Sequence, residues 1–233
     1  MPPYDADAAT VDTTPDPGSE AWWGEHAERL RRRRPRAGGL TVEAIVDAAL
    51  DLADSEGLDS LTVRSLAGRL ETSSASLYRH VASVEELEVL MVDRVLGEVR
   101  APAPNAKGVD RILHQSREFR AVLLRHPGVV PALRSAPLLG PNGVASARVG
   151  FGNFLDAGLQ GVEAAAAYVA LVDYVLGIVF FDSGGSSIRG RVQFDDPSDI
   201  FGSHRADFAA LDSDTVFEFG LRTFLRGLGL TVA

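Results

Sequence analysis

The densest charge in this 233-residue chain is basic, although the chain as a whole carries a formal net charge of −9. Arg29, Arg31, Arg32, Arg33, Arg34 and Arg36 fall within one short run that contains no acid. Such a run can neutralise phosphates, and local distribution matters more for a nucleic-acid partner than the overall sum. A second group lies further on, in Ser74-Ala75-Ser76-Leu77-Tyr78-Arg79-His80. Small residues at the start of a short helix let its backbone approach a groove floor. The following phenol, guanidinium and imidazole can reach phosphates or base edges. Catalytic chemistry finds no comparable foothold. The histidines at 26, 80, 114, 126 and 204 lack ligand spacing, and HExxH, GxSxG, P-loop and dinucleotide-binding patterns are all missing from the sequence. With no cysteine, thiolate catalysis, thiolate metal sites and disulfides are excluded. The expectation is a protein that is not an enzyme and needs no metal or cofactor.

The elements that must position these residues are helical. Hydrophobic residues make up 45% of the chain and charged ones 24%, the balance of a soluble globular protein. Thr41 is a good N-cap for a helix whose apolar face is Ile45, Ala48, Ala49, Leu52 and Ala53, with Gly57 at its end. A second helix starts at Thr62, with Val63, Leu66, Ala67 and Leu70 inward. After a break at Thr72-Ser73, a third, short helix runs over about 74–81, anchored by Leu77. Ser83 caps a longer helix, with Glu86 placed for a capping box. Ala101-Pro-Ala-Pro104 is a corner. Beyond it the pattern predicts helices over about 109–125, 129–134, 142–157, 162–181 and 214–228, with a Gly/Ser/Asp-rich loop at 182–202. No segment shows convincing strand periodicity. The run from Val162 to Phe181 is long enough to span a bilayer. Glu163 and the mid-helix Asp173 make a packed helix, or one at a subunit interface, the expected role, with no membrane. The N-terminus lacks the basic and apolar regions of a signal peptide, which points to a cytoplasmic protein.

Three short helices in this arrangement form a helix-turn-helix pattern. The phrases Ile45-Val-Asp-Ala-Ala-Leu50, Glu56-Gly-Leu58, Leu61-Thr-Val-Arg-Ser-Leu-Ala67 and Ser76-Leu-Tyr-Arg-His80 resemble the DNA-binding domain of the TetR (tetracycline repressor) family. Leu123-Leu-Arg-His-Pro-Gly128 and the apolar helix from Tyr168 to Leu176 are similar, less closely, to its regulatory domain. Composition makes the N-terminus a disordered tail (1–28), with a helix turn or two expected from Trp22 to Leu30, followed by an Arg-rich arm (29–39); the resemblance implies an all-α fold with a helix-turn-helix domain (40–83) and a helical regulatory and dimerisation domain (84–233). It implies that Thr62, Tyr78 and His80 meet phosphates, that Arg64 approaches a base edge, and that Arg79 touches a base or phosphate. Ser74, Ala75 and Ser76 would begin the recognition helix, while Arg33, Arg34 and Arg36 track the backbone or enter the minor groove. The expected partners are double-stranded DNA with a palindromic operator, an unknown small-molecule effector and a second copy of the chain. The helices over 162–181 and 214–228 would pair across the two-fold axis as a four-helix bundle.

The effector pocket is expected among the helices from 109 to 181, with His114, Gln115, Phe119, Asn153, Tyr168 and Asp173 as lining candidates. Gln115 and Phe119 match pocket positions in the resemblance. Leu133 stands where the tetracycline-binding members hold a metal with histidine, so a magnesium–tetracycline ligand is not implied. Two further departures bear on DNA. Glu71 stands where the family has a turn glycine, and a left-handed backbone there would strain it. Val84 stands where the family has a phosphate-binding lysine. An alternative reading follows from these two: a helical ligand-binding or scaffold protein whose DNA binding has degenerated.

Overall fold

The computed structural model describes residues 15–32, 39–184 and 198–230, all of which are helical or in connecting turns. The helices are α1 (Glu20–Arg32), α2 (Val42–Glu56), α3 (Val63–Arg69), α4 (Ser74–Tyr78), α5 (Val84–Leu96), α6 (Val109–Arg125), α7 (Pro141–Asp156), α8 (Gly161–Ser183), α9 (Ile200–Ser203), α10 (Arg205–Ala209) and α11 (Ser213–Gly227). Short 3-10 segments occupy Leu58–Ser60 and Pro127–Arg134. The all-α expectation is met, and the expected helices from α2 onward start within a residue or two of their predicted positions.

Caps set these starts. Thr41, Thr62, Ser73 and Ser83 each accept a backbone N–H three residues on, at 3.0–3.2 Å. The helix-turn-helix core is then built from Ile45, Ala49, Leu52, Leu66 and Leu77, all buried. Full burial of side chains of this size stabilises by about 1.5–3 kcal/mol each. Leu77 and Val81 lie one turn apart and fix α4 against the rest. α4 is shorter than predicted; beyond Tyr78 the chain continues as a tight turn, with His80 N–H and Val81 N–H both donating to the Leu77 carbonyl.

Two differences from the expected organisation have clear causes. Residues 20–28, placed in the tail although a helix turn or two was expected from Trp22 to Leu30, belong to the longer helix α1, in which Trp22 and His26 are buried. Residues 200–202, expected in a loop, open the short helix α9, capped by Asp199. Residues 1–14 of the predicted tail and 185–197 of the 182–202 loop lie outside the described residues.

α6, α7 and α8 form the regulatory core, with α11 laid along α8. α8 buries Ala164, Ala167, Leu171, Val175 and Val179 along one face, so this apolar helix packs within the bundle as expected. Arg120 of α6 joins three elements. It donates to Asp214 at 2.6 Å, Ser213 at 2.7 Å and Asp182 at 3.2 Å, and lies over the Phe217 ring.

Candidate DNA-reading head and effector cavity

The turn between α3 and α4 decides whether the reading head can form. Leu70 ends α3, Glu71 N–H donates to the Gly68 carbonyl at 3.2 Å, and Thr72 N–H donates to the Ala67 carbonyl at 2.9 Å. This pair of bonds is the Schellman arrangement, whose middle residue must be left-handed. Glu71 accordingly has φ of 50°, the one non-glycine residue with positive φ among those described. Glycine fills the equivalent position at the ends of α7 (Gly158) and α11 (Gly229). The turn therefore keeps its geometry despite the substitution and holds the strain in the backbone.

That turn sets α4 with its N-terminal residues outward. Ser74 and Ala75 are exposed, Ser76 is half-buried, and Tyr78 is 56% exposed despite its size. Arg79 is exposed and donates to Ser76 Oγ at 3.0 Å; His80 is half-buried. Arg64 is exposed on α3, beside the Thr62 cap, whose hydroxyl also meets Ser65 Oγ. The surface thus presents guanidinium, hydroxyl and backbone donors together. Residues 62–80 contain three arginines and a single acid, Glu71, which makes this face locally basic on an acidic chain. Arg33, Arg34 and Arg36 lie outside the described residues. The neighbouring Arg31 and Arg32, on the last turn of α1, both pair with Glu28. Val84 is half-buried and packs against the core.

A cavity of about 150 Å³ lies between α6, α7 and α8. Leu96, Ile112, Leu138, Phe154 and Leu171 give it an apolar wall. Of the six predicted lining residues, Gln115, Phe119, Asn153 and Tyr168 face it. His114 and Asp173 do not. His114 lies on the outer side of α6, its Nε2 3.2 Å from the Arg100 carbonyl oxygen. Asp173 is on the exposed face of α8. For both, polarity within an apolar run was the only sequence signal, and that signal does not distinguish a pocket face from a solvent face. Ser116, a polar residue of the same α6 run and expected with them, also lines the cavity; Ser146 and Gly150 line it too and were missed, since nothing in their sequence neighbourhood marks them. Burial raises the pKa of Tyr168, which keeps its phenol neutral. Leu133 is partly buried in the core rather than at the cavity.

Two carboxylates join cavity and reading head. Asp93 of α5 accepts from the backbone N–H groups of Asn142 and Gly143, each at 3.0 Å, and from Asn142 Nδ2. It caps α7 from another helix, and burial raises its pKa against these bonds. At the other end of α5, Glu86 was expected to complete a capping box on Ser83. Instead it accepts from Ala82 N–H at 2.7 Å and from Arg29 at 2.9 Å, with His26 Nδ1 3.6 Å away. Burial acts to raise its pKa, but the nearby His26, the Ala82 N–H bond and the charge of Arg29 outweigh it, and the net shift is downward. A third link runs from α2. Asp54 accepts from Gly128 N–H at 3.0 Å and meets His126 Nδ1 at 2.7 Å, while His126 Nε2 meets Glu98. α5 is thus tied to the arm helix at its start and to a cavity wall near its end.

Comparison with known proteins agrees with this architecture. Residues 45–87 match the family described as bacterial regulatory proteins, tetR family. The chain is 36% identical over 157 residues to an HTH-type transcriptional regulator of Saccharopolyspora erythraea, across 67% of this chain and 65% of that protein, just under two thirds of its length. It is 32% identical over 223 residues to the HTH-type transcriptional repressor DrrR1 of Streptomyces coeruleorubidus, across 86% of this chain and 83% of that one. Among solved structures, the Streptomyces coelicolor TetR family protein ActR in complex with (S)-DNPA superposes with a TM-score of 0.72 at 31% identity, covering 81% of this chain and 96% of that one.

Proposed function

The chain belongs to the TetR family of bacterial regulatory proteins, and from that premise we propose that it is a cytoplasmic, homodimeric repressor released from a palindromic operator by a small molecule. The observation that carries the proposal is α5. One helix follows directly on the reading head and, through Asp93, holds the N-terminus of a helix that lines the effector cavity. A ligand that displaces α7 therefore acts on α5, and α5 moves α4. Two reading heads about 34–36 Å apart fit successive major grooves. A coupling of about 1–3 kcal/mol is enough to change occupancy several-fold or more.

The dimer is assigned to α8 and α11. Val162, Ala165, Ala166, Val169, Ala170 and Asp173 are exposed at helical spacing on α8, and Phe219 is 69% exposed on α11. An apolar stripe of this kind pairs with its own copy in a four-helix bundle. Thr62, Arg64, Ser74, Ala75, Ser76, Tyr78, Arg79 and His80 are assigned to the operator, with Arg33, Arg34 and Arg36 along the backbone. The alternative of degenerate DNA binding loses one of its two supports, since the Glu71 turn keeps its form.

The test is an anisotropy titration against DNA flanking the protein's own gene, across salt concentrations and with Arg79→Ala. Palindrome-dependent binding that falls at least about tenfold in the variant supports the proposal. Weak binding indifferent to sequence and to the variant refutes it in favour of a ligand-binding or scaffold protein.

A further inference from the structure

The cavity presents an amide whose orientation is fixed from behind. Asn153 is 1% exposed and faces the cavity from α7. Its Oδ1 accepts from Arg111 Nε at 2.8 Å. A guanidinium can only donate, so the oxygen must point at Arg111 and the NH₂ must point away from it. That Nδ2 is buried and has no hydrogen-bond partner among the described residues. A buried donor left unmet costs about 1–3 kcal/mol, and such groups in native proteins have a reason. Arg111 also draws electron density from the amide, which strengthens the remaining N–H groups as donors. The charge of Arg111 itself is faced by Asp156 at 3.9 Å. No lining residue of the cavity is a cation, so an anionic ligand would be buried without a counter-charge.

The second polar point is Gln115 with Ser146. Gln115 Nε2 donates to Ser146 Oγ at 3.1 Å, and Gln115 Oε1 is buried without a partner among the described residues. A hydroxyl and an amide can exchange donor and acceptor roles, so this pair accepts a ligand hydroxyl in either sense. Ser146 and Asn153 are seven residues apart on α7, about 10 Å along the axis. Ser116, the remaining small polar side chain there, turns back to its own helix at the Ile112 carbonyl.

We propose that the effector is an elongated, uncharged, mostly apolar molecule with a ketone or quinone oxygen received by Asn153 Nδ2 and a hydroxyl received by Gln115 and Ser146. The inference rests on the cavity being the effector site. Asn153 is thereby a specificity-determining residue rather than a packing one.

A matched pair of probes tests it: 4-acetyl-4′-hydroxybiphenyl and 4-ethyl-4′-hydroxybiphenyl, which differ only in the ketone oxygen. Both are titrated calorimetrically into the full-length protein and into Asn153→Asp and Asn153→Leu. Asn153→Asp keeps an acceptor for Arg111 and the side-chain shape but has no donor. The ketone is expected to bind about tenfold tighter to the parent, the size of one hydrogen bond. That preference should shrink to about twofold or less in both variants, with the affinity of the ethyl compound little changed in Asn153→Asp. An undiminished preference in the variants, or equal affinities in the parent, overturns the role of Asn153 and leaves the cavity standing. Failure of both compounds to bind the parent overturns the inference and the cavity's assignment together.

Discussion

Replacing Glu71 with glycine should make the protein more stable and improve its grip on DNA, and the two effects can be separated. Glu71 holds φ of 50° with an exposed side chain, so no packing is lost on its removal. A left-handed backbone costs a non-glycine residue about 1–2 kcal/mol. Glycine removes that cost but adds freedom to the unfolded chain worth about 0.5–1 kcal/mol. At the middle of both ranges the net gain is about 0.7 kcal/mol, which for a chain of this size raises Tm by about 1–3 °C. Alanine at the same position keeps the strain and should leave Tm nearly unchanged. Both substitutions remove the one acid of the α3–α4 face. A charge about 10 Å from a phosphate in water interacts by about 0.4 kcal/mol, so operator affinity should rise about twofold in each variant at low salt. Differential scanning calorimetry reads the first effect and anisotropy the second. A glycine variant no more stable than the alanine variant would refute the strain argument, whatever happens to DNA binding.

Other perturbations address the joints between the parts. Gly128→Ala places a Cβ on the Ala53 carbonyl and 2.6 Å from Asp54 N, backbone atoms that cannot step aside; a loss of about 1–3 kcal/mol in urea unfolding is expected, and a neutral result would mean that the two segments are not packed as described. Glu86→Gln should cost about 1–2 kcal/mol at neutral pH, because Arg29 and the Ala82 N–H lose their anionic partner. The folded pKa of Glu86 is lowered, so its contribution is present above the ordinary value of 4.5 and is lost as pH falls through the lower folded value; the stability gap between parent and variant should close on acidification, and a gap independent of pH down to about 3 would contradict this. Val169→Glu with Phe219→Glu should give monomers in analytical ultracentrifugation and weaken binding to a palindrome far more than to a half-site, whereas an intact dimer would move the interface elsewhere.

Much of the site was legible before any coordinates. Caps are local: Thr41, Thr62, Ser73 and Ser83 act on N–H groups three residues away, so helix starts follow from spacing alone. The strain at Glu71 was legible through the resemblance alone, which puts a turn glycine at that position. Four of the six predicted cavity residues face the cavity, since they share helix faces with apolar neighbours. His114 and Asp173 failed for the complementary reason, lying on the outer faces of the same helices. Glu86 was read as a partner of the Ser83 backbone and instead serves Ala82 and Arg29, the latter 57 residues away.

What the sequence determined by itself is the helical order, the reading head and its basic, small-residue surface, because these rest on interactions within a few residues. Tertiary structure decided the rest. It gave α1 a seat on α5, placed Asp93 at the start of α7, and turned Arg111 toward Asn153 so that one amide face is left for a ligand. These pairings join residues 42 to 57 positions apart. No local pattern encodes them, because which distant groups meet is fixed only when the helices pack.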